Sequence, residues 1–333
     1  MSQQSLRHGD MVEVKSPSEI LATLDERGAL ADLPFMPEMA PYCGRRFKVE
    51  RRAEKVCDTI HYTGSRRLHD SVLLEDLRCN GSGHDGCQAE CRLFWKEAWL
   101  RKVSPQEPPY PAFLPGELSA LIERTSLQAR STVRMNGKDQ QRYRCQATDL
   151  TKCTEHLNLW DLRAYVREYT SGNVPLGRFL RVTTRAAFKE PMRKLGMVPD
   201  VHMSGTAKKG VVFESLDLRP GELVRVKTRE EIAATLNAEG RNRGLWFDRE
   251  MLPYCGGTFR VRTRLSRFIN DRDGSMVELK NEAVTLDGVV CSGDLSLRRW
   301  FCPRAIYPFW RECWLERVGP AVQPLAESAS ASR

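Results

Sequence analysis

At 333 residues, with 41% hydrophobic and 29% charged side chains, the chain has room for two or three domains with cores of their own, and its composition excludes a membrane-embedded protein and wholesale disorder. The formal net charge of +9 admits attraction to polyanions or acidic partners without selecting one. Eleven cysteines are many for a reducing compartment, and they turn attention from disulfides to metal ligation and thiol chemistry.

No apolar run reaches the roughly eighteen residues of a spanning helix, and residues 1–10 carry no apolar signal core, so the expected location is cytoplasmic with no membrane insertion. From there MVEVK at 11–15 alternates apolar and polar residues and predicts a strand. SPSEILATLDERG at 16–28 predicts a short helix, capped by Ser16 or Ser18, with Ile20, Leu21 and Leu24 on one face and Gly28 ending it. RRFKV, SVLLEDL and EAWLRKV follow as further strands. The cluster Pro105, Pro108, Pro109, Pro111 and Pro115 reads as a linker. Beyond it, LNLWDLRAYVREY and PLGRFLRVTTRAAFKEPMRKLG have helical spacing, with Leu159, Leu162, Tyr165 and Val166 on one face and Ser171, Gly172 and Asn173 as the intervening turn.

The chain then repeats itself. GDMVEVKSPSEILATLDERG at Gly9 aligns without a gap on GELVRVKTREEIAATLNAEG at Gly221, and the register carries Phe35 onto Phe247, Met39 onto Met251, Pro-Tyr-Cys-Gly of 41–44 onto that of 253–256, and Cys79 onto Cys291. After a three-residue difference FWKEAWLRKV meets FWRECWLERV. The expected architecture is α+β and mainly β. Two duplicated SH3-like small barrels, 9–104 and 221–318, are joined by a linker and helical middle segment, 105–220, and followed by a disordered tail, 319–333. Trp95, Trp99, Trp310 and Trp314 are expected in the barrel cores.

The richest chemistry lies in CNGSGHDGCQAEC, which sets Cys79, His84, Cys87 and Cys91 in one glycine-rich loop. Three thiolates and an imidazole form a zinc-type ligand set, although the Cys-His-Cys-Cys order differs from that of a zinc knuckle. The second copy, CSGDLSLRRWFC, keeps Cys291 and Cys302 but has Ile306 in place of Cys91. Both copies thus retain a trio, Cys43, Cys79 and Cys87 in one and Cys255, Cys291 and Cys302 in the other. The fourth ligand is open: Cys57, His84 or Cys91 in the first copy, and only Cys313, on a strand beside Trp314, in the second. Zinc is the first expectation and an iron–sulfur cluster the second, since the first copy alone offers Cys43, Cys57, Cys79, Cys87 and Cys91. A weaker grouping is Cys145, Cys153 and His156 in CQATDLTKCTEH.

Residues 105–220 carry 18 Lys or Arg against 12 Asp or Glu, whereas the two repeats are nearly balanced. Arg178, Arg181, Arg185, Lys189, Arg193 and Lys194 are therefore the candidate contacts for nucleic acid or another polyanion, set against a solvated helix face. No Walker loop, GxGxxG, GxSxG, HExxH or kinase signature is present, and Cys43 before Gly44 has no histidine shared by both copies to activate it.

PYCGRRFKVERRAEKVCDTI, LRCNGSGHDGCQAECRLFWKEAWL and SLRRWFCPRAIYPFWRECWLERV, with CQATDL and SGNV between them, resemble a bacterial family of duplicated, cysteine-rich proteins whose activity is uncharacterised. The resemblance spans nearly the whole chain; it implies the duplication and a bacterial cytoplasmic setting and leaves function open. The expected function is metal binding, as an accessory module for a protein partner or acidic ligand. Alternatives are a metal- or iron–sulfur-dependent enzyme or subunit of a biosynthetic pathway, and a nucleic-acid-binding protein.

Overall fold

The computed structural model describes residues 5–319 except 105, 110, 136, 159–160, 196, 198–202, 208–213 and 297. It is α+β, mainly sheet, and divides into two compact units. Residues 1–201, 267–278 and 290–307 make the first, and 202–266, 279–289 and 308–333 the second. The expected tail therefore lies, from residue 320, outside the described residues, and no helix among those described is long and apolar enough to cross a membrane.

The first unit runs β1 (Met11–Val14), α1 (Pro17–Leu21), β2 (Ala29–Leu30), β3 (Leu33–Pro34), β4 (Arg46–Arg52), β5 (Lys55–Cys57), β6 (Ser65–Arg67), β7 (Ser71–Arg78), β8 (Arg92–Lys96) and β9 (Leu100–Lys102). Then come α2 (Pro115–Gln128), the hairpin β10 (Arg130–Met135) and β11 (Lys138–Tyr143), β12 (Glu155–His156), α3 (Leu162–Thr170) and α4 (Leu176–Lys194). Its main sheet is antiparallel in the order β8-β7-β4-β1-β9, with Val12 opposite Phe47 and Lys102, and Val72 opposite Trp95. The two edge strands are joined only by the short 3-10 helix Glu97–Trp99, so the sheet has to curl into a half-barrel to bring its edges together.

The second unit repeats the pattern with β13 (Leu223–Val226), α5 (Arg229–Ala233), β14 (Arg241–Asn242), β15 (Leu245–Trp246), most of β16 (Thr258–Ile269) and β17 (Met276–Leu286), β18 (Trp310–Arg311) and β19 (Leu315–Arg317). Its sheet order, β18-β17-β16-β13-β19, is the counterpart of the first. The aromatic centres of the two cores match. Phe35 packs edge-on against Trp95 and Trp99, with ring centroids 6.1 and 5.1 Å apart, and Phe247 does the same to Trp310 and Trp314 at 6.0 and 5.3 Å. All four tryptophans are fully buried, as their pattern predicts. Trp99 Nε1 donates to Thr23 Oγ1 at 3.0 Å, and Trp314 Nε1 to Thr235 Oγ1 at 2.9 Å, which fixes how each ring enters its core.

Local departures from the sequence reading have identifiable causes. Ser16, with Glu19 completing a capping box, starts α1, but the helix ends at Leu21 rather than at Gly28. Asp25 accepts from the amides of Arg27 and Ala29, and this turn occupies the residues that a longer helix needs. EAWLRKV is not one strand, because Glu97–Trp99 must carry the chain from one sheet edge to the other. Pro115, read as linker, is the first residue of α2, where its missing N–H costs nothing. The apolar face read for α3 is displaced: Ala164, Tyr165 and Glu168 are buried while Leu162 and Val166 are exposed, and Leu159 lies outside the described residues. Glu168 turns inward because Asn173 Nδ2 donates to it at 2.9 Å.

Candidate metal centre

The loop that follows β7 is tied to itself by backbone bonds: Cys79 N to Cys91 O at 2.8 Å, His84 N to Gly81 O at 2.9 Å and Cys87 N to His84 O at 3.1 Å. Gly81 has φ +70°, and a side chain there would place its Cβ 2.2 Å from the Cys87 carbonyl oxygen. The second cysteine loop follows the same plan within the first unit. Cys291 N bonds Ile306 O at 2.8 Å, and Gly293, at φ +73°, would meet the Cys302 amide at 2.8 Å.

Cys79, Cys87 and Cys91 line a cavity of about 30 Å³, and Cys145 enters it from the turn after β11. That turn is set by Thr148 Oγ1, which accepts from the Cys145 amide at 2.9 Å. Met36, Phe94 and Ile269 make the wall largely apolar, and the buried guanidinium of Arg304 is also at the wall. Burial raises all four thiols, Cys91 to about 12 and Cys145 to about 11; the Glu38 carboxylate adds to it at Cys79 and Cys87, and neighbouring sulfurs add to it at Cys79, Cys91 and Cys145. Such groups stay protonated at neutral pH until a bound cation draws the protons off. The Ile269 amide donates to Cys87 Sγ at 3.4 Å, a contact that stabilises a thiolate.

His84 is at the same cavity, but its nitrogens are committed. Nδ1 bonds Glu38 Oε1 at 2.6 Å and Nε2 bonds the Arg144 carbonyl at 3.0 Å, both with His84 as donor, so the ring is an imidazolium and has no free lone pair. Burial opposes its charge, yet the hydrogen bond and charge of Glu38 outweigh burial and hold its pKa above the ordinary value; by the same balance Glu38 is held below its own. Glu38 Oε1 also accepts from the Gly83 amide at 3.0 Å, while Oε2 is buried without a partner. Glu38, Cys79 and His84 are, among the described residues, the one group of three possible ligand atoms within 4.8 Å of one another.

Sequence reasoning passed over Glu38. A signal was available: the repeat carries Glu38 onto Glu250, and both are buried.

The remaining cysteines are distributed as follows. Cys43 packs in the core of the first unit, where burial pushes it up to about 12, so the trio with Cys79 and Cys87 is not assembled at the cavity. Cys255 packs against the core of the second unit, whereas Cys291 and Cys302 belong to the first. Cys313 is buried in the second unit's core. Of the grouping Cys145, Cys153 and His156, only Cys145 reaches the cavity; Cys153 packs in the core and His156 is exposed on β12.

Cys57 and Cys302 form a second thiol group. The Cys57 amide donates to Cys302 Sγ at 3.2 Å, and both residues are buried. A hydrogen bond from Cys302 lowers the Cys57 pKa against its burial, helped by Arg304 and Arg299, and Cys302 is raised in turn by burial and by Cys57. Arg304 Nη1 bonds the Cys57 carbonyl at 3.2 Å and Thr59 Oγ1 at 2.9 Å, so one cation serves both thiol groups.

The basic stretch on α4 is partly spent internally. Arg178 forks onto Asp294, with Nη2 2.8 Å from Oδ1 and Nε 3.0 Å from Oδ2, and reaches the Ser292 carbonyl at 2.9 Å; it is a structural cation rather than a free contact. Arg181 and Arg185 are exposed, and the side chains of Lys189, Arg193 and Lys194 lie outside the described residues.

No protein-family model matches this chain, and no curated protein matches it.

Proposed function

We propose that the protein binds a thiolate-ligated metal centre through Cys79, Cys87, Cys91 and Cys145. The observation that carries this reading is the convergence of four cysteines, from two separate segments, on one small and largely apolar cavity with Arg304 at its wall. Zinc held by four thiolates at about 2.3 Å sets the sulfurs about 3.8 Å apart. No three of these four sulfurs come within 4.8 Å of one another, a spread that favours an iron–sulfur cluster over a single zinc ion. The cavity of about 30 Å³ holds no more than an ion or a water without movement of its lining, and this favours zinc as the second reading. Arg304 and the His84 imidazolium offset the negative charge that four thiolates bring to either centre.

On this reading the two half-barrel sheets are SH3-like modules of a bacterial cytoplasmic protein, and the centre fixes the loop that presents them to a protein partner or acidic ligand. The test is anaerobic purification followed by zinc, iron and acid-labile sulfide analysis with a visible spectrum, on wild type, Cys87→Ser and Cys145→Ser. A brown protein with iron and sulfide, lost in both variants, supports the cluster, and colourless protein with one zinc, lost in both, supports the ion. Folded wild type with neither metal overturns the proposal.

A further inference from the structure

A second cavity, of about 460 Å³, lies apart from the cysteines between the β4–β6 segment and α3. Its volume is that of a metabolite site. Five cations line it, Arg7, Arg52, Lys55, Arg67 and Arg167, against the carboxyl groups of Glu54, Asp70 and Glu168. Some of these charges are partly spent: Arg52 bonds Glu54 at 2.6 Å and Glu97 at 2.7 Å, Arg67 is paired with Asp161, and Arg167, itself exposed, reaches Glu54 at 3.4 Å.

Three features indicate a ligand rather than a solvated cleft. Lys55 is 2% exposed, donates to the Trp300 carbonyl and stands 5.2 Å over the ring of Tyr165, with no carboxylate in ion-pair contact. Burial lowers its pKa and raises that of Glu168 on the same wall, by more than the attraction between the two charges offsets. Ser171, at the end of α3, is 9% exposed and its Oγ has no hydrogen-bond partner although it lines the cavity. A buried hydroxyl left unpaired costs about 1–3 kcal/mol, which a bound acceptor recovers.

We infer that this cavity binds a small metabolite through an oxyanion, phosphate or carboxylate, with Lys55 and Ser171 on its inner wall and Arg7 and Arg167 at its mouth. The ammonium and guanidinium groups supply charge-assisted hydrogen bonds to the oxyanion, and the hydroxyl donates the remaining one. The site gives the chain a small-molecule ligand independent of any metal.

The experiment is calorimetric titration of the full chain with inorganic phosphate, pyrophosphate and succinate, in wild type, Arg7→Gln, Arg167→Gln and Ser171→Ala, with Arg181→Gln on α4 as control. Binding of at least one anion is expected, weakened roughly tenfold by either arginine substitution, as for loss of one charge-assisted bond. Ser171→Ala is expected to weaken it less and Arg181→Gln not at all. A preference for phosphate and pyrophosphate over succinate identifies a phosphorylated ligand, and the reverse a carboxylate. No binding of any of the three at millimolar concentration, or equal binding by wild type, Arg7→Gln and Arg167→Gln, overturns the inference.

Discussion

Replacing Glu38 with Ala removes the carboxylate that holds the His84 imidazolium, in a pair whose side chains are each 1% exposed. Breaking a buried pair from one side costs about 3–5 kcal/mol, because the partner keeps its desolvation penalty. Here the loss includes a 2.6 Å charge-assisted bond and the acceptor of the Gly83 amide, so the upper half of that range is expected. At roughly 2–4 °C per kcal/mol for a unit of this size, the melting temperature should fall by roughly 8–20 °C. Urea and thermal melts of Glu38→Ala read this directly. Glu38→Gln, which keeps an acceptor for Nδ1–H and loses only the charge, should cost less than half as much. Nitrogen NMR of wild-type His84 should show both ring nitrogens protonated. A cost under about 1 kcal/mol for Glu38→Ala, or a ring nitrogen without a proton in the metal-loaded protein, would refute the ion-pair reading and return His84 to the ligand set.

Four further outcomes follow from the same structure. Thr23→Val and Thr235→Val leave the indole N–H of Trp99 and Trp314 unpaired in fully buried rings, so each should cost about 1–3 kcal/mol by urea denaturation. Gly81→Ala puts a Cβ against the Cys87 carbonyl and should abolish metal retention, measured by metal analysis, while the folded state survives; full retention would show that the loop geometry is not what places the sulfurs. Asp58 accepts from the amides of Ile60 and His61 and from Thr63 Oγ1, and these bonds, against its burial, bring its pKa down to about 2 from 3.8. Its contribution, roughly 2 kcal/mol, is present above pH 3.8 and lost as pH falls toward 2, so wild type and Asp58→Asn should differ at neutral pH and converge in acid melts. Arg178→Ala should lower the melting temperature through loss of the Asp294 fork, and leave any binding of DNA, followed by fluorescence anisotropy, unchanged.

The parts of this fold that rest on periodicity and capping were legible in the sequence. Alternation in MVEVK and LVRVK places β1 and β13, and the capping boxes of Ser16 with Glu19 and Thr228 with Glu231 start α1 and α5. The tryptophans and the turn at Gly172 follow from the same local chemistry. What failed to show is non-local. The burial of Glu168 depends on Asn173 and Lys55, which no period of α3 reports. Cys145 looked like a partner for Cys153, eight residues on, and lines a cavity with Cys79, Cys87 and Cys91 through chain closure that spacing does not encode. Glu38 carries no pattern as one acid among 43, and only its repetition as Glu250 sets it apart in the sequence.

The repeat explains why the cysteines divide as they do. At the shift of 212 residues Cys57 is the counterpart of Ile269, and beyond the three-residue difference, at a shift of 215, Cys302 is that of Cys87. The Cys57 amide donates to Cys302 Sγ, and the Ile269 amide donates to Cys87 Sγ, so each repeat's strand supplies an N–H to the sulfur of the other repeat's loop. That reciprocal contact survives although one strand carries a thiol and the other an isoleucine, which makes the backbone N–H to sulfur bond the shared device and the side chain the variable one. Where the strand brings Ile269, the cavity has Cys91 and Cys145 to complete four thiols; where it brings Cys57, Ile306 replaces the fourth position and three thiols remain, Cys57, Cys291 and Cys302. Two thiol groups of common origin have therefore diverged in number, four against three, and the smaller one retains a hydrogen-bonded pair of thiols beside the same arginine.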